Sequence, residues 1–113
     1  MHEFSIASSI VEAVNKTAKE HSISHVAKVK IKVGQLQLVM PDSLLFSFNV
    51  CTEGTLSEGA VLEIEEVVAK GKCAGCDAEF PLGNYQFTCP SCGSPDISIV
   101  SGEELFIESF EGE

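Results

Sequence analysis

The sequence predicts an α+β (mixed α/β) fold in which a small three-stranded sheet with two helices is interrupted by a short cysteine-rich module. Two segments have the periodicity of amphipathic helices, and three have the alternation or composition of strands. Four of the five cysteines form two closely spaced pairs. The 113 residues therefore suit a small core joined to a module that needs cross-linking to fold.

The first helix is predicted over residues 6–20, and the second begins at Pro41 and ends before Gly54. Pro41 suits the first helical position, Asp42 is favourable in the first turn, and Gly54 can end the segment. The predicted buried faces are Ile6, Ile10, Ala13, Val14 and Thr17 in the first helix, and Leu44, Leu45, Phe48 and Cys51 in the second.

Three strands are predicted, over residues 28–33, 61–67 and 104–110. The first alternates lysines with apolar residues, so one face is solvated and the other faces the core. The second carries Glu63 and Glu65 where the first carries lysines, and oppositely charged strands of this kind can pair. The third alternates less clearly but is rich in strand-forming residues.

The cysteine region is predicted to be an insertion between the second and third strands. Residues 1–68 and 103–113 would form the α/β domain, and residues 69–102 would form the inserted domain. The sequence shows no internal repeat and no low-complexity linker between them.

The inserted module has the spacing of a closed metal site. Cys73-Ala-Gly-Cys76 and Cys89-Pro-Ser-Cys92 are separated by twelve residues, so two tight turns can direct four thiolates at one tetrahedral centre. We expect structural zinc in a zinc-ribbon-like domain, with no open position for catalysis. An iron-thiolate centre of the rubredoxin type has the same ligands and stays open.

The alternative of a disulfide framework requires an oxidising compartment. The N-terminal sequence lacks the basic and apolar regions of a secretory signal, and no run is long enough to span a bilayer. We therefore expect a cytoplasmic protein with reduced thiols and no membrane association.

The charge of the chain argues against nucleic-acid binding. Seventeen acidic and seven basic side chains give a formal charge of −10, and Lys72 is the single basic residue between Gly71 and Gly102. A phosphate polymer needs a basic surface, which the cysteine module therefore lacks.

The first three residues form a second candidate metal site. Met1 should be retained, because removal of an initiator methionine generally requires a small second residue and His2 is large. The Met1 amine, the His2 backbone nitrogen and the His2 ring nitrogen can chelate one ion, with Glu3 available as a fourth ligand. Such nitrogen-rich sets suit Ni(II) or Cu(II), with affinity that falls as the pH approaches the titration range of histidine. The simpler interpretation is a solvated terminal histidine.

Motifs along nearly the whole chain resemble those of one family. They are Met1-His2-Glu3, Phe4-Ser-Ile-Ala-Ser-Ser-Ile-Val, Val33-Gly34, Pro41-Asp42-Ser43-Leu44, Thr52-Glu53-Gly54-Thr55, Leu62-Glu63-Ile64-Glu65, Glu79-Phe80 and the two cysteine pairs followed by Gly93. In order and spacing they are similar to the HypA family of hydrogenase-maturation nickel metallochaperones.

The resemblance implies a protein that helps the GTPase HypB load nickel into NiFe hydrogenase, and some members also serve urease. It maps the nickel ligands onto Met1, His2 and Glu3, with Asp42 as a further candidate, and the zinc ligands onto the four paired cysteines. The implied partners are a HypB-like GTPase and the hydrogenase large subunit, while a homodimer is left open. Some relatives carry histidines beside the cysteine pairs, but this chain has none there, which puts ligand exchange at zinc in doubt.

Two other functions are compatible with the sequence, a zinc-ribbon adaptor and a small thiolate-iron electron carrier. No enzyme is predicted, because the chain shows no nucleophile paired with a base and no phosphate-binding glycine loop. Cys51 is expected in the core, His21 and His25 in solvent, and the lysine stripe of the first strand on a solvated sheet face offset by glutamates.

Overall fold

The computed structural model describes residues 2–82 and 87–113 and contains two helices and two small sheets. The helices are α1 (His2–Glu20) and α2 (Pro41–Thr52), with a 3-10 turn at Gln35–Gln37. The strands are β1 (Val26–Gly34), β2 (Val61–Val67), β3 (Lys70–Cys73), β4 (Glu79–Pro81), β5 (Ile97–Ser101) and β6 (Leu105–Gly112). None of the helices described is long and apolar enough to cross a membrane.

The chain divides into two compact units. The helical unit comprises Met1–Lys32, Val39–Glu65 and Phe106–Glu113, and the cysteine unit comprises Val33–Leu38 and Glu66–Leu105. The cysteine unit thus includes a segment directly after the first strand as well as the cysteine region itself. The domain limits of 69 and 102 that we expected from the sequence remain a prediction.

The first sheet has the strand order β2-β1-β6, which confirms the predicted pairing of the lysine-bearing and glutamate-bearing strands. Along β1, Val29, Ile31 and Val33 are buried, and the lysines that alternate with them lie on the opposite face. The ion pairs on that face join Lys28 to Glu63 at 2.8 Å, Lys30 to Glu108 at 3.2 Å and to Glu65 at 3.5 Å, and Lys32 to Glu65 at 3.4 Å and to Glu108 at 3.5 Å. The hydrogen bonds and charges of these glutamates raise the pKa of each lysine.

The core of the helical unit contains apolar residues of α1, α2 and β1. Leu44 and Phe48 of α2 are buried, as predicted, whereas Leu45 is 36% exposed and lies outside the core. In α1 the buried stripe is Ala7, Ile10, Val11, Val14 and Ala18. The prediction that Ala13 is buried was therefore wrong, because the stripe is turned toward Val11 and Ala18.

The second sheet has the strand order β4-β3-β5, with both pairs antiparallel. Its small core consists of Ala69, Cys73, Phe80, Leu82 and Cys89, with Leu36, Ala78 and Ile97 packed against it. Two of the five buried residues are thus cysteines. A core this small buries little apolar surface, so a metal ion bound by its cysteines would add to the stability of the unit.

Three chain segments of the cysteine unit cross at two glycines. A side chain at Gly34 would place its Cβ 2.0 Å from the Gly102 carbonyl oxygen and 2.6 Å from the Glu103 nitrogen. Gly102 has a positive φ of 111°, and a Cβ there would lie 2.6 Å from Ala69 Cα. The crossing is fixed by hydrogen bonds from Gly34 N–H to Glu104 O, from Leu36 N–H to Gly102 O and from Ala69 N–H to Gln35 Oε1.

Candidate functional site

The two cysteine pairs lie on backbone turns of the same design. Asp77 N–H donates to Cys73 O at 2.9 Å, and Gly93 N–H donates to Cys89 O at 2.8 Å. Asp77 and Gly93 each follow the second cysteine of their pair, and both have a positive φ, 58° and 75°. In each pair the first cysteine N–H bonds the carbonyl oxygen five residues on, that of Ala78 or Ser94, at 2.9 Å. Two equivalent knuckles result.

The knuckles bring the four cysteine sulfurs together. Cys73 Sγ lies 3.5 Å from Cys92 Sγ, Cys76 Sγ lies 3.6 Å from Cys89 Sγ, and all four atoms lie within 4.8 Å of one another. Zinc–sulfur bonds of about 2.3 Å arranged tetrahedrally separate the sulfurs by about 3.8 Å, so the cluster fits one zinc ion. In each knuckle the first cysteine is buried and the second is exposed.

The thiols of the cluster do not titrate alike. The backbone N–H of Cys92, together with that of Ser91, lowers the pKa of Cys89 to about 6 despite its burial. The Ala78 backbone N–H lowers the pKa of Cys76, but hydrogen bonding to the Cys89 sulfur and desolvation outweigh it and raise the pKa to about 12. The pKa of Cys92 is also raised, by Cys73 and Cys89, against the opposing effect of Ser94 N–H. A bound cation would favour the thiolate form of the cysteine sulfurs that surround it.

The N-terminal candidate residues lie on the first turn of α1. The helix begins at His2, four residues earlier than predicted, and Met1 lies outside the described residues. His2 Nδ1 lies 3.7 Å from Glu3 Oε2, with the His2 side chain 54% exposed and that of Glu3 18% exposed. The structure thus places two of the predicted nickel ligands side by side.

Glu3 is held by a group that the sequence did not reveal. The backbone N–H of Met40, the residue before α2, donates to Glu3 Oε2 at 3.3 Å. This hydrogen bond, with a further one from the Glu3 backbone and the charge of His2, lowers the pKa of the Glu3 carboxyl. No pattern of side chains could predict it, because the donor is a backbone N–H.

Asp42 lies in the first turn of α2 and is exposed. Within residues 2–82 and 87–113, no hydrogen bond or ion pair joins Asp42 to His2 or Glu3. The hydrogen bond from Met40, two residues before Asp42, nevertheless fixes the start of α2 near Glu3. The structure therefore brings the segment containing Asp42 to the N-terminal site without showing a contact made by Asp42 itself.

In the described part of the chain, the remaining cysteine and histidines do not lie at a candidate metal site. Cys51 is partly buried and unpaired, and His21 Nδ1 lies 2.9 Å from the carbonyl oxygen of Thr17, one turn earlier on α1. The backbone of His25 exchanges hydrogen bonds with Glu113 of the chain terminus. None of the three side chains lies in a group of possible metal ligands among the described residues.

Known proteins resemble this chain over nearly its full length. The family described as "Hydrogenase/urease nickel incorporation, metallochaperone, hypA" matches residues 1–112. The chain is 40% identical over 113 residues to the hydrogenase maturation factor HypA of Moorella thermoacetica and 43% identical to that of Geobacter metallireducens, covering all of both.

Solved structures agree on the fold. The solution structure of the nickel metallochaperone HypA from Helicobacter pylori matches with a TM-score of 0.70 at 24% identity, covering 99% of this chain and 97% of that one. A second solution structure of a HypA protein matches with a TM-score of 0.73 at 23% identity, covering 100% and 97%. With two helices, two small sheets, a four-cysteine cluster and full-length relatives, the chain belongs to the HypA family of hydrogenase and urease nickel-incorporation metallochaperones.

Proposed function

We propose that this protein carries Ni(II) at its N-terminus and delivers it, together with a HypB-like GTPase, to the large subunit of NiFe hydrogenase in the cytoplasm. Urease is a second recipient consistent with the family description. The four-cysteine site holds structural zinc in this proposal, and the protein performs no catalysis of its own. The observation that carries the proposal is the His2, Glu3 and Met40 arrangement at the start of α1.

The position of His2 at the beginning of a helix favours metal binding by its backbone nitrogen. The first N–H groups of an α-helix have no intrahelical acceptor, so deprotonating the His2 amide breaks no helical hydrogen bond. The Met1 amine and the His2 ring would supply two further nitrogens. A donor set of this kind suits Ni(II), which prefers planar nitrogen and oxygen ligands.

Glu3 would supply the fourth ligand from its backbone or its carboxylate. The Met40 N–H donates a hydrogen bond to Oε2 of Glu3 and so fixes the carboxylate beside His2. This bond leaves the carboxylate able to bind nickel. Nickel bound by Glu3 would then be connected to the start of α2 through the hydrogen bond from Met40. Asp42, in the first turn of that helix, is the residue we expect to contribute least, because within residues 2–82 and 87–113 no hydrogen bond or ion pair joins it to His2 or Glu3.

The test compares nickel uptake by matched variants of the untagged protein, measured by equilibrium dialysis and calorimetry. His2→Ala should abolish binding of the one expected equivalent while zinc content and fold are kept. An N-terminal extension should have the same effect, because it removes the free amine and leaves every side chain in place. Asp42→Ala should have a smaller effect.

His21→Ala provides the control, since His21 directly follows the last residue of the same helix and its ring nitrogen lies 2.9 Å from Thr17 O. It should bind nickel as the unchanged protein does. If both His2→Ala and the extended protein kept full stoichiometry and affinity, nickel would bind elsewhere and the proposal would fail. Metal analysis also separates zinc from a coloured iron-thiolate centre in the cysteine cluster.

Binding to the partners is tested separately. Calorimetry with the cognate HypB-like GTPase and with the hydrogenase large subunit should show association with one or both. Tight binding of a nucleic acid at physiological salt, without either association, would favour the adaptor function instead.

A further inference from the structure

The outer edge of β5 differs from the other sheet edges among the described residues. The strand orders β2-β1-β6 and β4-β3-β5 leave four edge strands. Charged residues or proline protect three of them, the usual defence against unwanted pairing. The protecting residues are Glu63, Glu65 and Glu66 on β2, Glu108 and Glu111 on β6, and Glu79 and Pro81 on β4. The sequence of β5, Ile-Ser-Ile-Val-Ser, has neither.

The serine side chains of β5 donate hydrogen bonds to neighbouring backbone within the cysteine unit. Ser98 Oγ donates to Lys72 O at 3.4 Å, and Ser101 Oγ donates to Val68 O at 2.8 Å. Ile99 is 46% exposed and Val100 is 51% exposed. The strand therefore presents apolar side chains and an edge without a partner strand in the described part of the chain.

A β-bulge limits how much of this edge is regular. Ser101 pairs with Lys70 and Ile99 with Gly71, so Val100 is an additional residue without a partner on β3. Bulges bend the strand and redirect a side chain. The regular edge is thus short, Ile97 to Ile99, with Val100 exposed at its end, and it suits a short added strand rather than a long one.

The charges at the ends of β5 decide between possible occupants. Asp96 directly precedes the strand and Glu103 lies two residues beyond its end, and neither forms an ion pair within residues 2–82 and 87–113. Antiparallel pairing of two copies would bring the strand end that carries Asp96 in one copy to the strand end that carries Glu103 in the other, which like charges oppose. A segment with basic ends would instead be attracted at both positions.

We infer that β5 is a docking edge for an extended segment of a partner protein, apolar at its centre and carrying lysine or arginine at both ends. The segment adds to the sheet beyond β5, its main chain bonds the strand edge, and its ends approach Asp96 and Glu103. This is strand addition, in which main-chain bonds provide affinity and side chains provide specificity. The inference concerns the cysteine unit and does not depend on where nickel binds.

The probe is a capped synthetic peptide, Lys-Val-Thr-Val-Thr-Val-Lys, titrated into the zinc-loaded, ¹⁵N-labelled full-length protein. Amide shifts should concentrate at residues 96–101. Ile99→Lys should weaken binding about tenfold or more by placing a charge on the edge. Val61→Lys provides the matched control, because Val61 is 60% exposed on edge strand β2 and undergoes the same change of charge.

Zinc content and unchanged amides outside β5 establish that Ile99→Lys is folded. A peptide with glutamate at both ends should bind at least about tenfold more weakly. The inference is overturned if the peptide causes no shifts at β5, if the Ile99→Lys and Val61→Lys proteins bind alike, or if the acidic peptide binds equally well. Concentration-dependent shifts of the same amides without peptide would show that a second copy occupies the edge, which also overturns it.

Discussion

Replacing Gly34 with alanine tests the close crossing in the cysteine unit. The backbone at Gly34, with φ −72° and ψ 146°, is one that alanine adopts readily, so conformational preference is not the obstacle. The new Cβ would lie 2.0 Å from Gly102 O and 2.2 Å from Gly102 C, both backbone atoms that cannot rotate away. The two segments must therefore separate.

The expected loss of stability follows from what separation breaks. The bonds from Gly34 N–H to Glu104 O at 2.6 Å and from Leu36 N–H to Gly102 O at 2.8 Å span the crossing. Each contributes about 0.5–1.5 kcal/mol, and overpacking costs about 1–3 kcal/mol. The lower conformational entropy of the unfolded Gly34→Ala chain offsets about 0.4–1 kcal/mol of this loss. The free energy of unfolding should therefore fall by about 3 kcal/mol in total.

Urea unfolding followed by amide resonances of the cysteine unit measures this loss. With a slope of about 1.5–2 kcal/mol/M, the midpoint should fall by about 1.5–2 M. Gly75→Ala is the control, because its Cβ would meet only Cys73 Sγ at 3.7 Å and should change stability by less than about 0.5 kcal/mol. If Gly34→Ala unfolded at the same urea concentration as Gly75→Ala, the close approach would not exist in solution.

Three further predictions concern the two sites and the ion pairs. Cys73→Ser should abolish zinc binding and amide protection in the cysteine unit, because Cys73 is buried in its core. Cys76→Ser, at an exposed position, should retain weakened zinc binding. Zinc analysis and hydrogen exchange measure both effects, and identical losses in the two variants would contradict the prediction. Lys30→Met should destabilise the helical unit less in about 1 M salt than in about 0.05 M salt, because salt screens its exposed pairs with Glu108 and Glu65; equal effects in urea unfolding would argue against a Coulombic origin. The lowered pKa of the Glu3 carboxyl stabilises the folded state at pH values above the unfolded pKa of about 4.3. The free energy of unfolding of the unchanged protein should therefore exceed that of Glu3→Gln by an amount that shrinks as the pH falls through the lowered pKa. A difference that did not change with pH would exclude this linkage.

Sequence patterns predicted those parts of the fold in which side chains alone determine the structure. Strict alternation in the first strand identified Val29, Ile31 and Val33 as its buried face, and Pro41 correctly marked the start of the second helix. The cysteine spacing predicted that the four sulfurs converge. In each case the signal comes from residue types at fixed intervals.

The features that the sequence did not predict depend on backbone groups or on ambiguous periodicity. The first turn of α1, from His2 to Ser5, has no apolar repeat, so its helical start could not be detected. The predicted and observed buried faces of α1 share Ile10 and Val14, and only packing selects Ala7 on one side of them rather than Ala13 on the other. The Met40 N–H that orients Glu3 leaves no trace in the side-chain pattern.

The alternation of buried and exposed cysteines gives the metal cluster an inner and an outer side. Cys73 and Cys89 face the core, while Cys76 and Cys92 face solvent, and each short sulfur contact joins an inner residue of one knuckle to an outer residue of the other. A chelator or an oxidant therefore reaches the outer thiolates first. If the cluster holds zinc, dissociation should therefore begin with one outer ligand while the inner pair still holds the ion.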